Sequence, residues 1–413
     1  MNRVLVIGGG ASGMMAAIFA ARSGAYVTLL EPNERLGKKL NITGKGRCNV
    51  TNNSSCPELI ANVAHNGKFL YSSFSCWDGR DTMAFFEALG VPLKVERGKR
   101  VFPVSDRSFD ISSALERELR RLRVQTLRER ASELMFEDGA IAGVLGSGGK
   151  RPADAVIVAT GGVSYPATGS TGDGYRFARQ AGHTVLPPRG SLVPLNCEGS
   201  DCPAMQGLSL RNVMLSVRDR KKRIIFQEQG ELLFTHFGVS GPLVLSASAH
   251  MLDCDALSYH VSIDLKPALD EKKLDDRLLR DLAGRSNQNI DRVLGGLVPR
   301  SMIPVLMNRL AIPPETKANS ITREQRRRLL ELLKAFDLTV SGPRGVEEAI
   351  VTSGGVRVGE VNPNTMESKL IRGLFFAGEV LDVDAYTGGY NLQIAWATGR
   401  AAGIAAARSK GGC

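Results

Sequence analysis

The sequence predicts an α/β protein in which the two ends of the chain build one parallel-sheet domain and the middle forms an inserted unit. Three observations carry that expectation. Val4-Leu5-Val6-Ile7 is a continuous apolar run, suited to a central strand buried on both faces. It passes directly into Gly8-Gly9-Gly10-Ala11-Ser12-Gly13 and then a small-residue helix from Met14 to Arg22. Two more apolar runs end in glycine turns far downstream: Ala155–Ala159 before Thr160-Gly161-Gly162, and Leu374-Phe375-Phe376 before Ala377-Gly378-Glu379. Between them the texture changes. Residues 1–190 and 344–413 are therefore expected to form one discontinuous domain. Residues 191–343 form the insertion, with strands of a sheet or β-barrel over 191–265 and helices over 266–343.

In chain order, Val27-Thr28-Leu29-Leu30 completes a strand–helix–strand unit and ends at Glu31. Helical periodicity is clearest over 108–122, and 173–181 reads as a further helix. Val124–Leu127 and Ile141–Leu145 read as a small antiparallel ribbon with the segment between them. Within the insertion, segments around Leu192–Leu195, Val213–Val217, Arg223–Gln227 and Tyr259–Leu265 alternate like half-exposed strands. The charged tip Arg218-Asp219-Arg220-Lys221-Lys222 reads as a hairpin turn. Leu274–Leu282 and Thr322–Phe336 are the clearest of its helices, and Leu392–Ala407 closes the chain.

The bulk properties agree. A chain of 413 residues exceeds the roughly 250–300 residues at which single cores stop growing. With 43% apolar and 23% charged residues it has ordinary soluble composition. Val4 to Ala21 is uncharged and near the length of a membrane span, yet its four glycines suit a strand, a turn and a buried helix better, so no membrane association is expected. The seven cysteines contain no CxxC pair and read as reduced thiols of a cytoplasmic protein, neither a disulfide frame nor a metal site.

Gly8, Gly10 and Gly13 form GxGxxG after a strand and before a helix, the Rossmann arrangement for a dinucleotide. The glycines give a tight turn, backbone approach to a pyrophosphate, and close helix–strand packing. The helix start presents free N–H groups and positive dipole to the phosphates. Glu31 stands at the end of the second strand, where a carboxylate binds a ribose. The strand-turn at Thr160-Gly161-Gly162 and the late one at Ala377-Gly378-Glu379 suit a long extended cofactor and favour FAD over NAD. Asp382 and then Gly389-Tyr390-Asn391-Leu392 follow, at a helix start that suits the negative edge of a reduced flavin.

The stretch Lys38-Lys39-Leu40-Asn41-Ile42-Thr43-Gly44-Lys45-Gly46-Arg47-Cys48-Asn49-Val50-Thr51-Asn52 resembles the hallmark loop of a bacterial flavoprotein family. Its members include a bile-acid enone reductase, a ribosomal-RNA dihydrouridine synthase and an aminoacetone oxidase. Arg100-Val101-Phe102-Pro103, the run from Thr235 to Pro242 and the motif from Tyr386 to Asn391 extend the resemblance over the chain. It implies a glutathione-reductase-like FAD domain with an inserted barrel and helical unit. The cofactor site it implies takes in Gly8, Gly10, Ala11, Ser12, Gly13, Glu31, Lys39, Gly44, Gly46, Arg47, Cys48, Asn49, Ala131, Thr160, Gly161, Gly162, Gly378, Glu379, Asp382, Gly389, Tyr390, Asn391 and Leu392. Arg47 suits an anion or a structural surface position. Cys48 suits a reactive thiol beside a cation or a packed inert one. His236 suits a proton donor or a hinge residue, and Tyr390 a flavin contact or a structural tyrosine.

The bile-acid enone and the uracil ring share a carbon–carbon double bond conjugated to a carbonyl. An FAD-dependent reductase using NADH or NADPH is therefore expected, without a second nucleotide domain for the nicotinamide. The segment 35–130 holds eighteen Lys and Arg against ten Asp and Glu, a net of +8 out of the chain's +11. That excess favours ribosomal RNA as the substrate. A bile-acid enone, oxidation of an amine with oxygen as acceptor, and RNA binding with incidental turnover are the alternatives.

Overall fold

The computed structural model describes residues 1–251 and 259–409. Cys254 and Cys413, included above among the reduced thiols, lie outside them; Cys48, Cys56, Cys76, Cys197 and Cys202 are free. The chain divides into two compact units, one of residues 1–191 with the segment from Val346 onward, the other Leu192–Gly345.

The first unit is built on a five-stranded parallel sheet. Its order is Leu374–Phe376, Ala155–Val158, β1 (Arg3–Ile7), β2 (Tyr26–Leu30) and Gln125–Leu127. Val156, Ile157 and Val158 are wholly buried, as the uninterrupted apolar run requires, each contributing about 1.5–3 kcal/mol. Gln125–Leu127 differs from its expected place. It extends the parallel sheet beyond β2, and the antiparallel ribbon is instead Ala131–Glu137, Ala140–Gly146 and Gly149–Pro152.

Helix α1 (Ala11–Arg22) follows β1 directly and is covered along its length by the closing helix Tyr390–Arg408. Bare backbone makes that approach possible. A Cβ on Gly399 would lie 2.4 Å from the Ser12 carbonyl oxygen, and one on Gly403 would lie 2.3 Å from that of Ala16. The uncharged stretch near the start is thus strand, turn and buried helix. Among the described residues no helix is long and apolar enough to cross a membrane.

The second unit contains a seven-stranded antiparallel sheet, ordered Phe336–Leu338, Tyr259–Asp264, Ser209–Asp219, Ile224–Thr235, Gly238–Ser240, Leu195–Cys197 and Val340–Pro343. The first and last strands of that order are separated by Thr339 alone, so the sheet closes on itself. The helical stretch ends sooner than expected. Arg323–Lys334 is its last helix, and residues 336–343 return to the sheet because Phe336, Leu338 and Val340 alternate into the core.

Candidate functional site

At the end of β1 the chain turns so tightly that side chains are excluded at two of the three motif glycines. A Cβ on Gly8 would stand 2.5 Å from the Ala159 carbonyl oxygen, and one on Gly13 would stand 1.8 Å from that of Gly8. Gly10 differs: a Cβ there would meet nothing within 4 Å. Space therefore opens in front of the α1 N-terminus, where no side chain caps the helix and the first turn holds no acid. Helices elsewhere in the molecule begin with such partners, Asp78 before Gly79–Ala88 and Asp270 before Glu271–Gly284. The closing helix shares the bare start, with Gly389 at its N-cap. Two uncompensated positive helix ends in one unit suit an anionic ligand.

Glu31 is buried at the end of β2. It accepts hydrogen bonds from Gly9 N at 2.7 Å, Asn33 N at 2.9 Å and Asn33 Nδ2 at 2.7 Å. It therefore fastens the glycine loop as well as standing where a ribose would bind.

The late strand-turn comes against this region. Gly378 N donates to Thr398 Oγ1, and a Cβ on Gly378 would press within 2.5 Å of Ser12 Oγ. Glu379 accepts from Lys39 Nζ at 2.7 Å, Ser164 Oγ at 2.9 Å and Thr352 N at 2.9 Å. Burial raises its pKa, but the Lys39 charge and these hydrogen bonds outweigh that and hold the carboxyl below its ordinary value. At Gly162 a Cβ would collide with Thr352 Oγ1, so this turn too is bare by necessity. Burial raises the pKa of Asp382, partly opposed by Asn66, which donates to its carboxylate at 2.8 Å. Ala131 is buried at the start of its ribbon strand.

The hallmark loop packs under the start of the closing helix. Gly389 adopts φ +98°, and a Cβ there would come within 2.4 Å of the Thr51 carbonyl and 2.9 Å of Asn49 Oδ1. That Asn49 oxygen is buried without a hydrogen-bond partner, as are the hydroxyls of Tyr175 and Ser353. Burial raises the Tyr175 pKa, with the charges of Glu379 and Asp382 adding to it. Unsatisfied polar atoms of this kind ask for a ligand. Together with the space at Gly10 and the two bare helix starts, they fit a dinucleotide flavin. Asn391 clamps the adjoining strand, accepting from Ala385 N at 2.9 Å and donating to Ala385 O at 2.7 Å.

Several residues singled out from the sequence carry other tasks. Arg47 Nη2 lies 2.5 Å from both Glu96 and Asp106, and its guanidinium stacks 4.1 Å from the Phe102 ring centre. An anion would have to displace two carboxylates to engage it. Cys48 is wholly buried, and burial pushes its thiol up to about 12 against a weaker pull from Thr43. That burial favours the packed, inert reading of Cys48 over the reactive thiol. Burial also raises the pKa of Tyr390, so its phenol stays neutral. His236 belongs to the second unit, on an exposed turn after Ile224–Thr235 and edge-on to Phe237.

Part of the basic segment is spent within the molecule, seven of its eighteen cations standing in ion pairs. Lys39, Arg47, Lys94, Lys99, Arg121, Arg128 and Arg130 all pair with carboxylates. Arg117, Arg120 and Arg123 are exposed, with no ion pair among the described residues. Sequence reasoning missed one arrangement entirely. Val63–His65 pairs antiparallel with Asp384–Ala385, bringing His65 Nδ1 within 2.6 Å of the buried Asp384.

Residues 2–405 match the family described as HI0933-like protein Rossmann domain. The 3-dehydro-bile acid delta(4,6)-reductase of Clostridium scindens is 36% identical over 422 residues, covering 98% of this chain and 99% of that protein. The ribosomal RNA dihydrouridine synthase of Haemophilus influenzae is 30% identical over 410 residues, covering 98% of each. Among solved structures, the 3-ketosteroid-delta4-(5alpha)-dehydrogenase from Rhodococcus jostii RHA1 in complex with 4-androstene-3,17-dione is similar in fold. Its TM-score is 0.52 at 16% identity, covering 98% of this chain and 97% of that one.

Proposed function

We propose that this chain, which belongs to the HI0933-like Rossmann-domain family and is an oxidoreductase, uses FAD to reduce a carbon–carbon double bond conjugated to a carbonyl. NADH or NADPH is the electron donor, and the favoured substrate is a small cyclic enone of the bile-acid or steroid kind. The end-to-end likeness to a bile-acid reductase, at higher identity than to the dihydrouridine synthases, carries this reading.

When bound, FAD supplies the hydride. The Gly8–Gly13 loop and the α1 N-terminus would receive its pyrophosphate, and Glu31 its adenosine ribose. Glu379 and Asp382 would hold the polyol, and the N–H groups at Gly389–Asn391 would stabilise negative charge on the reduced ring. Asn49 Oδ1, unpartnered within the protein, would accept from it. The Lys39–Glu379 pair keeps Glu379 ionised, so it accepts hydroxyl hydrogen bonds and does not donate.

The test is anaerobic. Protein reduced with NADH or NADPH is mixed with 4-androstene-3,17-dione, and reoxidation is followed by flavin absorbance with identification of the saturated product. No reoxidation by the enone, followed by rapid reoxidation with peroxide release once air is admitted, would replace the reductase with an oxidase.

A second reading, uridine in ribosomal RNA, is favoured by the exposed Arg117, Arg120 and Arg123 and by the 30% identical relatives. Mass spectrometry of dihydrouridine in ribosomal RNA from cells lacking the protein separates the two.

A further inference from the structure

Saturating a conjugated double bond requires, besides two electrons, one proton delivered to carbon. Of the residues singled out above, Cys48 is a wholly buried thiol, and among the described residues no buried carboxylate orients Tyr390 or His236. His65 has such a partner. It sits on the short strand Val63–His65, and its ladder partner Asp384–Ala385 lies between the two segments assigned above to the cofactor. On one side Asn66 donates to the Asp382 carbonyl at 2.7 Å and carboxylate at 2.8 Å. On the other, Tyr386 N donates to Asn62 O at 3.0 Å, three residues before Gly389.

We propose that His65 Nε2–H is the proton donor to the substrate carbon, and that buried Asp384 is its positioning residue. This inference rests on the reductase reading above. Asp384 is wholly buried, with one oxygen 2.6 Å from His65 Nδ1 and the other accepting from Ser191 Oγ at 2.6 Å. Both of its oxygens are therefore committed, which fixes the ring and places the hydrogen on Nδ1. Nε2 has no hydrogen-bond partner among the described residues and is not enclosed, since it is absent from the buried unsatisfied atoms. An oriented imidazole with one nitrogen held by a buried carboxylate and the other open is the arrangement a general acid requires.

The charged groups facing the ring are Asp384 on the partner strand, Asp382 in the bend before it, and Arg189 from the strand Val185–Ser191. The Asp384 hydrogen bond raises the His65 pKa most. Burial and Arg189 oppose it, and Asp382 adds to it. At neutral pH a larger share of the ring is thus protonated than for a free histidine. In the step itself the Nε2–H bond breaks as the new C–H bond forms at the carbon next to the carbonyl. The enolate becomes a ketone, the ring is left neutral with its Nδ1–H still on Asp384, and water returns the proton to Nε2.

His65→Gln keeps a polar group of similar length and removes the titration. Reduced protein is mixed anaerobically with 4-androstene-3,17-dione, with a uridine-containing ribosomal RNA fragment, and with ferricyanide, which takes electrons but needs no proton on carbon. The variant should reoxidise about 10²- to 10⁴-fold more slowly with whichever double-bond substrate the native protein uses, and normally with ferricyanide. Asp384→Asn should move the alkaline limb of the native pH profile to lower pH, and His65→Gln should abolish it. Independently of turnover, ¹⁵N-histidine titration should show a His65 midpoint above that of free histidine, falling in Asp384→Asn. FAD content reports on folding of both variants. Native reoxidation rates in His65→Gln, or a His65 midpoint at or below that of free histidine, overturn the assignment. Failure of the native protein to reduce either double bond overturns the reductase reading first, and the assignment falls with it.

Discussion

Gly10 and Gly13 are three residues apart in one loop, yet alanine at each should fail for a different reason. At Gly13 the new methyl would stand 1.8 Å from the Gly8 carbonyl oxygen, a backbone atom that cannot swing away. Overpacking of this kind costs about 1–3 kcal/mol or more, so Gly13→Ala should lower the thermal midpoint and lose FAD together. At Gly10 the backbone is extended, with φ −80° and ψ −169°, and the methyl would meet nothing. Gly10→Ala should therefore fold with a stability within about 1 kcal/mol of the native protein, since alanine is a modestly poorer N-cap than glycine. Its methyl would occupy the space left for a pyrophosphate oxygen. Losing two charge-assisted hydrogen bonds at about 1.5–3 kcal/mol each amounts to roughly 3–6 kcal/mol, or about 10²- to 10⁴-fold in Kd. Fluorescence titration with FAD and differential scanning calorimetry on both variants measure the two quantities. Native FAD affinity in Gly10→Ala would refute the placement of the pyrophosphate. A large stability loss there would refute the claim that the space is open.

Further expectations concern charge and reactivity. Glu31→Gln should weaken FAD retention roughly tenfold to a hundredfold by equilibrium dialysis, because a neutral amide replaces a carboxylate that accepts from Gly9 and Asn33; unchanged retention would leave Glu31 a loop fastener alone. Glu118, held near 2 by Arg121, with burial opposing and Arg22 assisting, contributes stability that is full above its unfolded pKa near 4.5 and lost as pH falls toward 2. Glu118→Gln should remove on the order of 2–3 kcal/mol of acid sensitivity in that window, read from thermal midpoints, and an unchanged slope would count against the pair. Iodoacetamide at pH 7.5 should label exposed Cys76 and spare Cys48, as judged by peptide mass spectrometry. Neutralising Arg117, Arg120 and Arg123 together should leave enone reduction unaltered; a fall in the salt slope of RNA binding by about 2 or more, with slower uridine reduction, would promote the RNA reading.

What the sequence revealed and what it concealed follow from the range of the interactions. Val4–Ile7 with its glycines was legible because strand, turn and helix are contiguous and each leaves a local pattern. The helix Ser108–Arg121 was legible for the same reason. Gln125–Leu127 was not, since three residues carry no period and their parallel partner β2 lies a hundred residues earlier. The His65–Asp384 pair spans 319 positions, and a lone histidine in Val63-Ala64-His65-Asn66 offers no motif. Arg47 drew notice for its glycine-rich setting, but its partners Glu96 and Asp106 enter from segments that the local pattern does not announce. Charge counted along the chain likewise says nothing of which cations are already matched.

The glycine seam between α1 and the closing helix bears on the order in which the protein can be made. A ribosome delivers the GxGxxG loop first, but the sheet needs Ala155–Val158 beside β1, Leu374–Phe376 beyond that, and Gly399 and Gly403 against α1. Four of the five strands are present once Val158 has been made, but the edge strand Leu374–Phe376 and the helix that covers α1 come more than two hundred residues later. Residues 192–345 form a continuous stretch with a core of their own and face no such delay. The cofactor domain, begun first, is the last to be finished, and loss of the final helix would disable a loop formed some four hundred residues before it.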